Sequence, residues 1–339
     1  MTKICYIIQS LHIGGTETFI YNTANHLKNH FEFHFIATGN PDIHPKFAKI
    51  GKTTYSGEKW NKITDYLKSN KIDILQYGNL PQYKNCALKA KTPAIIERIA
   101  GPRSLKSDHD GVTHLVSSSH GIVPAIRKSY SGPITVIHNG TNLNENTEPA
   151  KSFKDGFVVI YPCSRLGRGQ KADDLIKATI QANKSNPRVK LIITGDRPNQ
   201  AGYEKIKPEL IKLAKPLGKN CIFTGFVDNV PELIAGSDLC VVPAATHGIS
   251  NGLIEASMLK KPTISTKVGQ ATEICHHGKN GYLIRTGDIT QLTKYILYLS
   301  NTPRVCDEFG QWGYDLVKKE FNLDIQAEKW KRLYKSLLD

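Results

Sequence analysis

The feature that most constrains this chain is an alternation of short apolar runs suited to strands with longer segments of helical spacing, and it occurs twice. In the first part the strand-like runs are 3–8, 31–37, 72–77, 94–99, 113–117 and 134–138. Phe31, Phe33 and Phe35 alternate as one face of a strand does, while Trp60, Ile63 and Leu67 fall at i, i+3 and i+7. A polar, asparagine-rich stretch, 139–155, then interrupts the pattern in the manner of an interdomain linker. The alternation restarts with strands at 157–161, 189–194, 221–224, 239–242, 263–265 and 282–284, with helices near 172–185 and 203–217. From Leu292 onward the spacing is helical, and Trp330, Leu333 and Leu337 give the last helix an apolar stripe.

Such alternation predicts parallel sheets covered by helices on both faces. The expected fold class is α/β, with two doubly wound domains at 1–145 and 156–315 and a helical tail at 316–339. A length of 339 residues suits two domains. Ligands of open α/β sheets bind outside the carboxyl ends of the strands, so candidate site residues are sought just after strands.

Composition narrows the classes further. Hydrophobic content of 40% and charged content of 22% exclude bulk disorder. No apolar run reaches the roughly 18–20 residues a membrane span needs, and the amino terminus turns polar at Gln9 and Ser10 before a signal peptide is complete. A cytoplasmic protein is expected. The net charge of +15 divides as +6 over residues 1–150 and +9 over 151–339. Spread in this way it suits a phosphorylated ligand or peripheral contact with an anionic membrane surface at its inner face, and equally simple solubility. Without an aromatic-basic recognition motif, nucleic acid is not an expected partner. Seven cysteines with no C-x-x-C spacing read as reduced thiols.

Several segments carry candidate chemistry. Gly14 and Gly15 precede a helical segment, where glycines serve either a tight turn or close backbone approach to an anion or sugar; neither a G-x-G-x-x-G fingerprint nor a Walker A sequence occurs. Arg165 and Lys171 stand in a glycine-bearing loop after a strand, as a diphosphate clamp or as a solvated basic loop. After the strand ending at Val242 come His247, Gly248, Ile249, Ser250 and Asn251, then a helix with Glu255 one turn inside. Ser250 or Asn251 can cap that helix, leaving first-turn N–H groups for an anion while the carboxylate accepts from a ribose diol. Asp108-His109-Asp110 has the form of a metal-binding D-x-D but reads better as a polar loop, and His276-His277, adjacent on a helix, would point apart. The stretch 184–219, with nine Lys/Arg against three Asp/Glu, places Tyr203, Ile206, Leu210 and Leu217 on a core-facing stripe.

The ordered set of these motifs resembles the GT-B retaining glycosyltransferases of family 4, also called glycosyl transferases group 1. Gly14-Gly15-x-Glu17, Val136-Ile137-His138-Asn139-Gly140, Arg165 with Lys171, Thr194-Gly195-Asp196, Gly225-Phe226-Val227, and Val268-Gly269 through Glu273-Ile274 resemble successive family signatures. The resemblance implies two Rossmann-like domains facing each other across a cleft, the first binding acceptor and the second nucleotide sugar, with the C-terminal helix packing back toward the N-terminal domain. It implies Arg165 and Lys171 on the diphosphate, Glu255 on the ribose, and Gly225, Phe226 and Val227 near the nucleobase. His247 and the glycine loop would lie near the donor sugar, with Gly248, Ile249, Ser250 and Asn251 lining the phosphate end.

The sequence departs from the family pattern twice. His247 stands where the first Glu of E-x7-E belongs, and Gln76 and Gly78 occupy the places of a usual His-x-His, leaving Gln76 or Asn79 to touch the sugar. The implied activity is transfer of a hexose or N-acetylhexosamine from a nucleotide-diphosphate sugar, UDP favoured. A glycan or lipid-linked acceptor in bacterial surface-polysaccharide or lipopolysaccharide synthesis is implied, with no cofactor and no metal. The alternatives are a GT-B nucleotide-sugar epimerase or hydrolase, or a degenerate nucleotide-sugar-binding subunit.

Overall fold

The computed structural model describes residues 1–11, 15–78, 80–101, 108–150, 152–153, 155–164, 166–195, 206–245 and 251–339. The chain divides into two compact units, one of Met1–Gly140 with Asn322–Asp339, the other of Thr141–Phe321. The first contains strands β1 (Lys3–Ile8), β2 (Glu32–Ala37), β3 (Lys52–Tyr55), β4 (Ile74–Tyr77), β5 (Ala94–Ile99), β6 (His114–Ser117) and β7 (Ile134–Val136). Its helices are α1 (Gly15–Leu27), α2 (Trp60–Ser69), α3 (Pro81–Ala90), α4 (Val123–Ile126) and, from the far end of the chain, α12 (Leu323–Ser336). The second unit contains β8 (Phe157–Tyr161), β9 (Val189–Thr194), β10 (Cys221–Gly225), β11 (Leu239–Val242), β12 (Thr263–Thr266) and β13 (Gly281–Ile284). Its helices are α5 (Ala172–Ser185), α6 (Ile206–Ala214), α7 (Val230–Ala235), α8 (Asn251–Met258), α9 (Ala271–Ile274), α10 (Ile289–Ser300) and α11 (Pro303–Glu320).

Both sheets are wholly parallel. The first runs β3-β2-β1-β4-β5-β6-β7 and the second β10-β9-β8-β11-β12-β13. Strands such as β4, β5 and β11 are buried at every position, as expected where helices cover both faces. Local signals set the helix ends. Asp288 caps α10 by accepting from the Gln291 amide at 2.9 Å, Asn322 caps α12 through the Ile325 amide at 2.8 Å, and Pro81 and Pro303 open α3 and α11.

Strand β3 has no counterpart among the expected runs. Its Lys-Thr-Thr-Tyr sequence is short, polar and partly exposed. It forms because it completes the hydrogen bonding of β2, an edge that would otherwise lie open.

The three phenylalanines of the second run do face one core. Phe31 packs edge-on against Tyr334 at 5.3 Å, and Phe33 and Phe35 stack beside Tyr6 at 6.1 and 5.9 Å. Trp330 of α12 is fully buried in the same cluster. The last helix is thus part of the first unit's core, and Tyr6 and Tyr334 join their hydroxyls at 2.6 Å. In the second unit, Leu210 and Leu217 enter the core and Ile206 packs against it, as their spacing predicts. All seven cysteines are free thiols, with Cys5 and Cys240 fully buried. No helix among the described residues is long and apolar enough to cross a membrane.

Candidate active site

In the second sheet β8 lies between β9 and β11, so the connections leaving β8 and β11 diverge to opposite sides. A crevice opens at such a switch point, at the carboxyl ends of the two strands. Lys171 and Glu255 are carried by the two connections that border it. Arg165, His247, Gly248, Ile249 and Ser250, also expected here, lie outside the described residues, as do Gly14 and Asn79 in the first unit.

The turn after β8 is held from below. The Tyr161 hydroxyl lies 3.1 Å from the Gln170 carbonyl and 3.0 Å from its side-chain oxygen. Residues Arg168–Gln170 form one 3-10 turn, and Lys171 follows in the left-handed region at φ 54°, ψ 34°, just before α5. Lys71, Lys91 and Lys260 share that conformation, but each follows a helix rather than opening one.

The loop after β11 is tied to this turn, for the Ala245 amide donates to the Gly169 carbonyl at 2.8 Å. The start of α8 also abuts the end of β8. A Cβ at Gly252 would lie 2.7 Å from Pro162 Cγ, so only glycine lets the helix approach so closely. The lysine turn and the amino end of α8 are therefore built against one another. A cation and a helix amino terminus bordering one crevice form an electropositive place suited to a diphosphate.

Glu255 is the fifth residue of α8 and is half-buried. Among the described residues no hydrogen bond or ion pair reaches its carboxyl. Burial pushes that carboxyl up to about 7, and its charge adds to the burial that raises the Cys240 thiol alongside. A carboxylate held in that state is poised to gain from hydroxyl donors brought by a ligand.

The neighbouring strand ends are locked together. Cys163 donates its amide to Thr194 Oγ1 at 3.0 Å, and that hydroxyl returns a bond to the Cys163 carbonyl at 2.9 Å. Gly195, at φ +99°, leaves no room for a Cβ against the Cys163 carbonyl, and its amide donates to the Gly225 carbonyl at 2.8 Å. Gly225 itself, at φ +71°, faces open space, and Phe226 beside it is 39% exposed. Val227 packs partly against the core. An exposed aromatic ring at the carboxyl edge of a parallel sheet is a ready stacking surface for a base. The locking roles of Thr194, Gly195 and Pro162 depend on contacts between segments distant in sequence, which leave no local pattern.

The remaining candidates have other partners. Gly15 is the first, exposed residue of α1. Gln76 is buried and accepts from the Tyr334 hydroxyl at 2.6 Å. In the Asp108-His109-Asp110 segment, Asp108 pairs with buried Lys84 at 2.8 Å. His109, far from solvated, is buried against Glu97 at 2.8 Å, and Glu97 also accepts from Tyr77. Asp108 thus serves both the turn, accepting from the Asp110 amide at 2.9 Å, and the lysine. His276 and His277 lie beyond α9 and not on a helix; the first stands 4.9 Å from the Trp312 ring, the second 5.4 Å from Tyr282.

Residues 158–302, within the second unit, match the glycosyl transferases group 1 family. The N-acetyl-alpha-D-glucosaminyl L-malate synthase of Bacillus anthracis is 28% identical over 354 residues, covering 91% of this chain and 90% of that protein. EpsD of Bacillus subtilis is 27% identical over 189 residues, and the chain spans about half its length, 47%. Among solved structures, Anabaena HepE in complex with UDP and glucose superposes with a TM-score of 0.84 at 17% identity, covering 99% of this chain and 100% of that one. The chain has the GT-B fold of these structures, and residues 158–302 carry its likeness to that glycosyltransferase family. Its two parallel-sheet units are those of that fold, and the crevice at β8 and β11 falls inside the matched segment.

Proposed function

We propose that this chain is a glycosyltransferase that moves a hexose or N-acetylhexosamine from a UDP-sugar, with retention at the anomeric carbon, to a glycan or lipid-linked acceptor of a surface polysaccharide. The observation that carries the reading is the construction of the Lys171 turn against the start of α8, with Glu255, which has no hydrogen-bond or ion-pair partner among the described residues, one helical turn further in. Lys171, with Arg165 and the first-turn amides at Ser250 and Asn251, neutralises the diphosphate as it departs, where charge develops in the transition state. Glu255 accepts from the ribose hydroxyls. Phe226 stacks on the base while Gly225 leaves room for it. His247 and the Gly14-Gly15 loop position the donor sugar. The acceptor hydroxyl attacks from the leaving-group side, and its proton passes to a phosphate oxygen. UDP is favoured because HepE was solved with UDP and glucose, and N-acetylglucosamine is supported as a donor sugar by the name of the malate synthase.

The test is UDP release from UDP-glucose and UDP-N-acetylglucosamine with a panel of polyprenyl-linked, glycan and small soluble acceptors. We expect turnover with one donor and at least one acceptor, reduced about a hundredfold or more in Lys171→Ala and Glu255→Gln. Near-normal turnover in both variants would remove the assignment. Conversion of donor without any acceptor would instead favour an epimerase or hydrolase.

A further inference from the structure

At the carboxyl end of the first sheet, four successive strands bring polar residues to one face, two within the last residues of β4 and β5 and two just past β6 and β7. Ile74, Ile96, Val116 and Ile137 all belong to the core beneath α1 and α12, so alternation places Gln76, Arg98, Ser118 and Asn139 on that same face, two residues further on. Arg98 is only 6% exposed, and its guanidinium lies 3.8 Å from the centre of the Phe19 ring near the start of α1. Among the described residues it donates one hydrogen bond, to Asn139 Oδ1 at 2.6 Å, and its Nε is buried without a partner. The Ser118 hydroxyl, also fully buried, has no partner among the described residues either. Among the described residues no carboxylate pairs with Arg98, and the adjacent Glu97 is engaged with Tyr77 and His109 on the opposite face. Burial pulls the Arg98 guanidinium down to about 10, leaving it charged at neutral pH, with only the Tyr6 and Tyr334 hydroxyls opposing the shift.

An uncompensated buried cation is costly, and interior charges are ordinarily paired. Two orphaned donors on adjacent strands, one and two strands from the switch point where β1 and β4 part, have the chemistry of an oxyanion site. We infer that Arg98, Ser118 and Asn139, with Gln76 beside them, form a binding site for a phosphate group, and that the sugar acceptor carries that group. The second half of this statement rests on the transferase reading above. The phosphate belongs either to a soluble phosphorylated acceptor or to a lipid headgroup.

The experiment is calorimetric titration of the full chain with inorganic phosphate, the donor site first saturated with UDP. Binding to vesicles of phosphatidylglycerol is measured against phosphatidylcholine in parallel. We expect Arg98→Gln to weaken phosphate or anionic-vesicle binding at least tenfold, to keep UDP affinity within twofold, and to melt no lower than wild type because a buried charge is gone. Ser118→Ala, which removes one hydroxyl, should weaken the same binding severalfold, and it decides the matter if Arg98→Gln does not fold. Loss confined to the vesicle arm assigns the group to a lipid headgroup, and loss in the phosphate arm assigns it to a soluble acceptor. Wild-type affinity in both arms for the folded variants overturns the inference. Failure of UDP to bind at all would count against the transferase reading alone, because the phosphate arm reads Arg98 independently.

Discussion

Glu255 permits a prediction in which stability and donor binding move in opposite directions. Its carboxyl is pushed up to about 7 by burial, against an ordinary value of 4.5. A group whose folded-state value is raised contributes stability fully below pH 4.5 and loses it as the pH rises through 7. The interval corresponds to about 3 kcal/mol at pH 8. Glu255→Gln keeps a neutral side chain in place, so it should equal wild type near pH 4.5 and exceed it by about that amount at pH 8, roughly 6–12 °C in melting temperature for a unit of this size.

Ligand binding should respond in the reverse sense. Ribose hydroxyls donating to the carboxylate favour its charged form, so the affinity for a UDP-sugar should fall roughly tenfold from pH 8 to pH 6 and level off above pH 7.5. A UDP-sugar is the right probe because its phosphate diesters do not titrate in that range. Calorimetry between pH 5.5 and 8.5 on both proteins reads the slope, which Glu255→Gln should abolish along with most of the affinity. A variant that melts below wild type at pH 8, or a wild-type affinity independent of pH, would refute the reasoning.

Three further outcomes are expected. Lys171→Gly relieves a left-handed lysine, so thermal melts should show stability unchanged or raised by about 1 kcal/mol, while UDP affinity measured by calorimetry drops tenfold or more. Phe226→Ala removes a ring that is already substantially exposed, so it should cost less than about 1 kcal/mol of stability yet about 1–3 kcal/mol of UDP binding. Ending the chain at Phe321 removes Trp330 and Tyr334 from the first unit's core, and burial of aromatic side chains there is worth about 3–5 kcal/mol each. Scanning calorimetry should then show the first unit's transition lost and the second unit's retained.

The α/β architecture was legible because apolar runs of strand length and helical stripes are local properties, as the buried strands β4, β5 and β11 and the Phe31, Phe33, Phe35 face bear out. Strand β3 was not, because edge pairing and not hydrophobicity makes it a strand. Lys171 and Glu255 were readable as residues just after a strand or one turn into a helix. The bonds that bring their loops together, Ala245 to Gly169 and Gly252 against Pro162, join segments some 75 to 90 positions apart and leave no local pattern. His109 shows the opposite failure. Flanked by aspartates it reads as solvated, yet Glu97, twelve residues earlier, supplies the carboxylate that lets it be buried. Arg98 and Ser118 likewise carry no motif; only the pairing of parallel strands sets them on one face of the sheet.

The most direct test of the account is calorimetric titration of the intact protein with UDP, GDP, ADP and CMP, repeated with Lys171→Ala and Glu255→Gln. The account predicts that UDP binds best and stabilises the fold by about 2.7 kcal/mol at one hundred times its Kd, with both variants losing at least tenfold in affinity. Binding of no nucleotide, or UDP affinity unchanged in both variants, would contradict it.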